Sequence, residues 1–394
     1  MKWMIEEAKL GIDQREIIEE VGKSTEKPIW IQGHAGSGKS VVLLHALSDY
    51  LIRNKGANVA IVVYTRALVD LIQTGLRQIP ALKGKNIPVY TIYQIDKRIS
   101  TGNKYDAIFC DEVQDLPLVL IQKMQKSCKR LILAGDASQS IYGYLGQWKS
   151  KPATSNEIAA NISPIQKKSS TIYRLTKSVI GVLKNVFSDL VNDKTYSGKE
   201  DSQIRLFISE NSTDFIEETI FSWKECEMIN RTRPDEITAI LIFKKEHIVF
   251  YCQQVLKHLG LEQWSERKVT RWEKEEYDLN DLNKHLIQVG VPLMYVGSGE
   301  GSLEQADRQN KIIIMTYHSA KGLDFDFVCL PYIATSLWKT ENENALMLVA
   351  LSRAKRDLMI TYTGTMYSGF KKFLKDISPI PIVKKEEDNS EILF

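Results

Sequence analysis

Gly33-His34-Ala35-Gly36-Ser37-Gly38-Lys39-Ser40 fits the pattern G-x-x-x-x-G-K-[ST] completely. Gly33, Gly36 and Gly38 would let backbone N–H groups approach phosphate oxygens with no Cβ in the way, and Ser37 lies among them. Lys39 would neutralise the β and γ phosphates, and the Ser40 hydroxyl would ligate Mg²⁺. Farther on, Asp111-Glu112-Val113-Gln114-Asp115 directly follows the apolar run Tyr105-Asp106-Ala107-Ile108-Phe109-Cys110. There Asp111 is expected to hold Mg²⁺, and Glu112 to position or deprotonate the attacking water. Taken alone, such acids could be a solvated strand end; behind a complete glycine loop they read as its partner. A further apolar run, Leu131-Ile132-Leu133-Ala134, enters the polar elbow Gly135-Asp136-Ala137-Ser138-Gln139. Gln139 could touch a γ-phosphate there, although the segment alone could equally be a surface turn. Together these residues predict binding and hydrolysis of a nucleoside triphosphate.

The elements around them fit that chemistry. Pro28–Gln32 reads as a buried strand feeding the glycine loop, and 41–51 as the helix that follows. Further strands are expected at 59–64, 87–90, 107–110 and 130–134, with helices between several of them. That alternation predicts a doubly wound parallel sheet. Residues 3–21 carry apolar positions at helical spacing and should form one amphipathic helix. Periodicity fades over 146–170, a crossover between domains, and a second α/β series follows. Its strands are expected at 203–208, 238–243, 293–296, 311–316, 327–330 and 358–363. The domains are placed at 1–165 and 166–382, with a small helical insertion around 245–290, centred on 265–284. Residues 383–394 read as a charged, flexible tail.

Composition narrows the field. Hydrophobic content of 43% and charged content of 26% suit a globular protein with substantial cores. The net charge of +3 neither demands nor excludes nucleic acid, so any footprint must be local. The 5 cysteines are scattered without C-x-x-C spacing, which suits a reducing compartment and no metal cluster. Early acids argue against a secretory signal. No stretch approaches the about 18 apolar residues of a membrane span. A cytoplasmic protein without membrane contact is expected.

Beyond the loop and acid pair, an ordered series of boxes resembles superfamily 1A helicases of the UvrD/Rep type. Gln14 sits where that family reads adenine, and residues 111–115 match its D-E-x-Q-D box. Residues 135–142 match G-D-x-x-Q-S-I-Y, with Gln139 as the phosphate sensor. Ile172-Tyr173-Arg174 looks like N-Y-R, with Ile172 replacing Asn. The resemblance implies that Tyr173 stacks on the base and Arg174 reaches the γ-phosphate. Thr316-Tyr317-His318-Ser319-Ala320-Lys321-Gly322-Leu323-Asp324-Phe325 is similar to T-x-H-x-x-K-G-L-E-F. Gly322 and Asp324 thereby become nucleotide-side residues, with Asp324 shorter than the usual Glu. Val349-Ala350-Leu351-Ser352-Arg353 is similar to V-A-x-T-R, making Arg353 a second arginine finger. The implied fold is two RecA-like domains with an ATP and Mg²⁺ site in the cleft between them.

The family also grips single-stranded DNA. Matching positions are Tyr64, Thr65 and Arg66, Thr91 and Tyr93, Tyr144, and Thr316 with His318. The tyrosines could stack on bases while Thr hydroxyls and Arg66 hold phosphates; the alternative is partly buried sheet-end tyrosines. His318 has no second His or Cys at ligand spacing, so it is no metal ligand. The large helical insertion usual before the acidic box is absent, since Thr91 stands close to Asp106. The expected function is an ATP-dependent translocase or helicase on single-stranded DNA or a single/double-strand junction. The alternative is a nucleotide-gated, DNA-sensing regulatory subunit with a protein partner such as a nuclease.

Overall fold

The computed structural model describes residues 3–23, 26–136, 140–143, 145–169, 171–186, 195–196, 204–209, 214–271, 274–297, 299–334, 342–366 and 380–382. Gln139, Tyr144 and the 383–394 tail lie outside the described residues.

Short, mostly apolar runs make the inner strands of the first sheet. Its strands are β1 (Ile29–Gly33), β2 (Val59–Val63), β3 (Val89–Thr91), β4 (Tyr105–Cys110), β5 (Cys128–Gly135) and β6 (Ile165–Ser169). All pair in parallel, in the order β3-β2-β4-β5-β1-β6. In β1 the side chains alternate: Ile29 and Ile31 join the larger core, while Trp30 turns to the smaller one on the opposite face. β2 is buried along its whole length, as a parallel strand covered on both faces must be.

Two short strands, β7 (Thr171–Ile172) and β8 (Thr195–Tyr196), pair apart from the sheets. The second sheet contains β9 (Ile204–Ser209) and β10 (Thr238–Ile242), and a hairpin is made of β11 (Lys268–Arg271) and β12 (Lys274–Tyr277). Then come β13 (Leu293–Tyr295), β14 (Ile312–Thr316), β15 (Phe325–Leu330), β16 (Ala354–Thr363) and β17 (Ile380–Ile382). The order is β13-β14-β10-β15-β16-β9-β17, again all parallel. Two doubly wound RecA-like sheets thus stand in one chain, and one apolar cluster runs through both.

Several expectations need correction. The first helix spans only Ile12–Gly22, after a 3-10 turn at Glu7–Lys9. Gly11 breaks the run, and its missing Cβ makes room for the Tyr173 phenol packed against it. The segment 146–170 is no bare crossover. It holds the helix Ser155–Ile162, capped by the Thr154/Glu157 box, and then β6. The placed boundary at 165 coincides with the first residue of β6, and the first sheet continues to Ser169. Its Ile-Gln-Lys-Lys-Ser sequence is polar because it lies at the sheet edge. The insertion is not all helix: between the helices Lys245–His258 and Leu279–Gln288, the second capped by Asp278, Lys268–Arg271 pairs antiparallel with Lys274–Tyr277.

Candidate functional site

The glycine loop leaves β1 and enters the helix Lys39–Arg53. Gly36 and Gly38 both adopt left-handed φ, 81° and 80°, which favours glycine. A Cβ on Gly38 would meet the Gln14 amide at 2.6 Å. Lys39 folds back along the loop, donating to the carbonyls of Gly33 at 2.8 Å and His34 at 3.1 Å.

Asp111 lies at the end of β4, beside the loop. The Ser40 hydroxyl donates to its carboxylate at 2.5 Å. Burial and then the neighbouring Glu112 push the Asp111 carboxyl up to about 6, while Ser40 and Lys39 pull it down. One hydroxyl and one buried carboxylate form an all-oxygen donor set of the kind that hard cations take, and a cation would relieve the acid crowding. Glu112 has a left-handed φ of 55° and donates its own N–H to Asp111 at 3.0 Å. Gln114 fixes the Glu112 carboxylate through its amide N–H, and its carbonyl accepts the N–H of Asp136 at 3.0 Å. One glutamine therefore ties the acid pair to the elbow after β5.

The second domain closes this site. Tyr173 and Arg174 follow β7, and both donate backbone N–H groups to the Gly36 carbonyl, at 2.9 and 3.1 Å. The Arg174 guanidinium donates to Asp324 at 2.6 Å and to the Ser352 carbonyl at 3.1 Å. Arg353 is buried and gives its donors to the Val349 and Leu323 carbonyls and the Ser352 hydroxyl. Burial and the nearby Arg174 lower its pKa to about 10. A cavity of about 260 Å³ results, into which Gln14, Gly36, Gly38, Lys39, Ser40 and Glu112 face from one side. Tyr173, Arg174, Gly322, Asp324 and Arg353 face it from the other.

Some expected roles meet competing bonds. Gln14 is spent on the Gly11 N–H and the Ser37 carbonyl, each at 3.0 Å. Tyr173 donates its hydroxyl to Asp13. Asp324, expected at the nucleotide, accepts Arg174, because two arginines crowd it in a low-dielectric cleft. Gly33 lies apart from the cavity wall, and Ser37 is buried beneath the loop.

Sequence reasoning missed other parts. Trp3, Ile5, Val41 and Leu71 form an apolar wall of the cavity. Trp3 is held there by its indole N–H to the Leu71 carbonyl at 3.0 Å. No motif marks a contact across such a separation. Asp115 and Lys321 form a buried ion pair between the two domains. Both lie inside quoted boxes, yet no spacing signals their meeting. Burial raises the Asp115 carboxyl to about 7 against the pull of Lys321. Gly322 stands next to this pair with φ 77°, and a Cβ there would meet Leu68 at 2.6 Å and Glu112 at 3.2 Å.

The candidate nucleic-acid residues gather at the carboxyl ends of β2, β3 and β14. Thr65, Thr91 and Thr316 prove to be helix N-caps, accepting the N–H groups of Leu68, Gln94 and Ser319. Their hydroxyls were expected on phosphates; a strand-to-helix turn leaves orphan N–H groups that claim them first. Tyr64 stacks on Tyr142 at 4.0 Å, and Tyr142 reaches His318 at 6.1 Å across the cleft. Lys321 lies 5.6 Å over the same Tyr142 ring. Tyr93 is 49% exposed and stacks on Trp148 at 5.3 Å. Arg66 crosses to the Gly299 backbone of the second domain. Among the described residues no group of three or more His, Cys, Asp or Glu is placed to hold a metal ion, and no helix is long and apolar enough to cross a membrane.

A glycine loop, a strand-end acid pair and two arginines meeting between RecA-like sheets define a two-domain P-loop protein. Comparison with known proteins narrows that class. The UvrD-like helicase C-terminal domain matches residues 121–365, and an AAA domain matches residues 14–145. The chain belongs to the UvrD-like helicase family. It is 32% identical over 101 residues to the mitochondrial ATP-dependent DNA helicase HMI1 of Saccharomyces cerevisiae, covering 23% of this chain and 13% of that protein. It is 26% identical over 160 residues to a probable DNA helicase II homolog of Mycoplasma capricolum, covering 33% and 22%. The matches thus span a small part of either relative. Among solved structures, the Arterivirus nonstructural protein 10 helicase is 14% identical with a TM-score of 0.44, covering 92% of this chain and 63% of that one. The PRRSV helicase is 13% identical with a TM-score of 0.41, covering 88% and 54%. Likeness at this level carries no argument about function.

Proposed function

We propose that the chain hydrolyses ATP with Mg²⁺ and couples the reaction to movement along single-stranded DNA. The observation that carries this reading is the shared cavity, where Lys39 and Glu112 of one domain face Arg174 and Arg353 of the other. Lys39 and the loop N–H groups bind the phosphates, and Tyr173 with the Trp3 wall flanks the base. Mg²⁺, held by Ser40 and Asp111, would supply charge to the phosphate oxygens. Glu112, fixed by Gln114, orients the attacking water and takes its proton. Arg174 and Arg353 present cations to the charge that develops on the far side. Gln139 serves as the phosphate sensor of the elbow. Lys321 links this cleft to the nucleic-acid face, since it touches both Asp115 and the Tyr142 ring. On that face, Tyr64 and Tyr93 offer rings to bases, Tyr144 is assigned the same role from the sequence alone, and Arg66 and His318 lie along the strand path. Thr65, Thr91 and Thr316 place helix N–H groups toward phosphates.

A nucleotide-gated DNA sensor that regulates a nuclease partner is the second reading. It is favoured by one feature: between β3 and β4 stands only the helix Ile92–Ser100, with no inserted domain. ATP turnover measured without nucleic acid, then with single-stranded DNA, duplex and RNA, separates the two. Stimulation by single strands supports the translocase; nucleotide binding with an unstimulated rate supports the sensor. Glu112→Gln is expected to bind ATP yet stall hydrolysis, and Lys39→Ala to lose binding or turnover. Normal turnover in Glu112→Gln would overturn the assignment.

A further inference from the structure

A second cavity, about 210 Å³ and almost wholly apolar, opens on the second domain away from the nucleotide cleft. Among the described residues it is lined by Phe215, His247, Phe250 and Tyr332. β14, β10 and β15 lie side by side, and Thr316, Lys244 and Tyr332 stand at or just past their carboxyl ends. The cavity therefore shares a sheet edge with Thr316 and His318. Asp324 and Arg353 precede β15 and β16 and lie at the opposite edge. A wider groove of about 910 Å³ begins at Thr316 and His318 and runs past Lys244 to the β11–β12 hairpin. His247 lines both spaces.

Tyr332 shows that this cavity is built. Its φ of 67° is left-handed, a conformation that a bulky residue holds only when its surroundings compel it. Glu218, fully buried on the helix Phe215–Thr232, supplies that hold. It accepts the Tyr332 N–H at 2.6 Å and the Thr361 hydroxyl at 2.7 Å. The Tyr332 hydroxyl is bonded to Thr219, so the ring is fixed at both ends. Around it stand Phe215, His247 and Phe250, with centroids at 5.7, 6.2 and 6.4 Å and steeply inclined planes. His247 Nδ1 is buried with no hydrogen-bond partner among the described residues. An alkyl side chain in the cavity would leave that nitrogen unpaired; the polar edge of a heterocycle would satisfy it.

We propose that this cavity receives one nucleobase of a single strand lying in the adjoining groove. The inference rests on the nucleic-acid reading above and names a site for it. Stacking against fixed aromatic rings supplies affinity with little ordering cost. Lys245 and Lys268 are engaged by Glu276 at 2.7 Å and Glu275 at 4.0 Å. Lys244 is exposed and meets no carboxylate among the described residues, so it is the cation placed for the neighbouring phosphate.

The test uses single strands with 2-aminopurine placed at successive positions, and matched strands with an abasic site at each. On the wild-type protein, emission should be quenched at the position that occupies the cavity. Phe250→Leu should remove that quench and weaken the intact strand about tenfold, with binding of the matched abasic strand unchanged. His247→Ala, a cut at the half-exposed rim, should act in the same direction and guards against a folding failure of the first variant. Unchanged quenching and affinity in both variants would overturn the pocket while leaving the nucleic-acid reading intact. Equal weakening of intact and abasic strands would also overturn it. A wild-type protein that binds no single strand would overturn both.

Discussion

In the nucleotide cleft, buried and half-buried polar groups hold one another in pairs. Asp111 takes Ser40, Glu112 takes Gln114, Asp324 takes Arg174, and Asp115 takes Lys321. On the proposed nucleic-acid face the candidate residues are rings, and those rings stack on one another: Tyr64 on Tyr142, and Tyr93 on Trp148. The contrast suits the two ligands proposed. Phosphoryl chemistry needs charges fixed to a fraction of an ångström in a dry site, where each interaction is strong. A strand that must slide needs sequence-tolerant contacts that exchange easily, which stacking provides. Lys321 belongs to both regions, with its ammonium between a buried carboxylate and an exposed-side ring.

The largest effect should come from the cleft. Arg174→Ala is expected to lower turnover about a thousandfold while nucleotide still binds, as measured by steady-state kinetics beside equilibrium titration. Loss of binding with unchanged turnover at saturation would place Arg174 outside the chemistry and blur the distinction.

Next comes the link between the regions. With its carboxyl held at about 7, Asp115 keeps a proton in the folded state that the unfolded chain releases near the ordinary 3.8. The folded state binds more protons in that window, so this group's contribution to stability falls as pH rises from about 4 to about 7, then levels. Lys321→Met removes the cation that pulls the Asp115 pKa down. The fall should then continue above pH 7, by up to about 1.4 kcal/mol per pH unit. Denaturant unfolding should show a loss of about 3 kcal/mol at pH 8.5 and a smaller one at pH 6. Equal losses at both pH values would mean that Lys321 acts by packing alone.

The smallest effect belongs to the face. Tyr93→Ala should weaken single-stranded DNA binding by about 1 kcal/mol, read as a rise in the strand concentration that half-stimulates turnover. A collapse of turnover at saturating strand would show that the face is as rigidly coupled as the cleft.

Much of the cleft was legible because its chemistry is local. Gly36, Gly38, Lys39 and Ser40 act through one turn of backbone, and Asp111 with Glu112 ends one strand. The central strands were legible as well, since buried parallel strands are written as apolar runs. The edge strand β6 and the hairpin β11–β12 were not, because polar edge and surface strands lack that mark. Thr65, Thr91 and Thr316 were read as phosphate ligands, and their hydroxyls cap helices instead. Their capping bonds depend on where each helix begins, which the residue types alone leave open.

By itself, the amino-acid sequence determined the parallel α/β architecture, the glycine loop, the acid pair and the helicase-type boxes, all of which depend on neighbours a few residues apart. Only the tertiary structure decided that Asp115 meets Lys321, that Asp324 holds Arg174, that Trp3 walls the nucleotide cavity, and that Tyr332 turns into an aromatic pocket. Each of those joins distant segments, and such contacts are fixed by how the two sheets pack together.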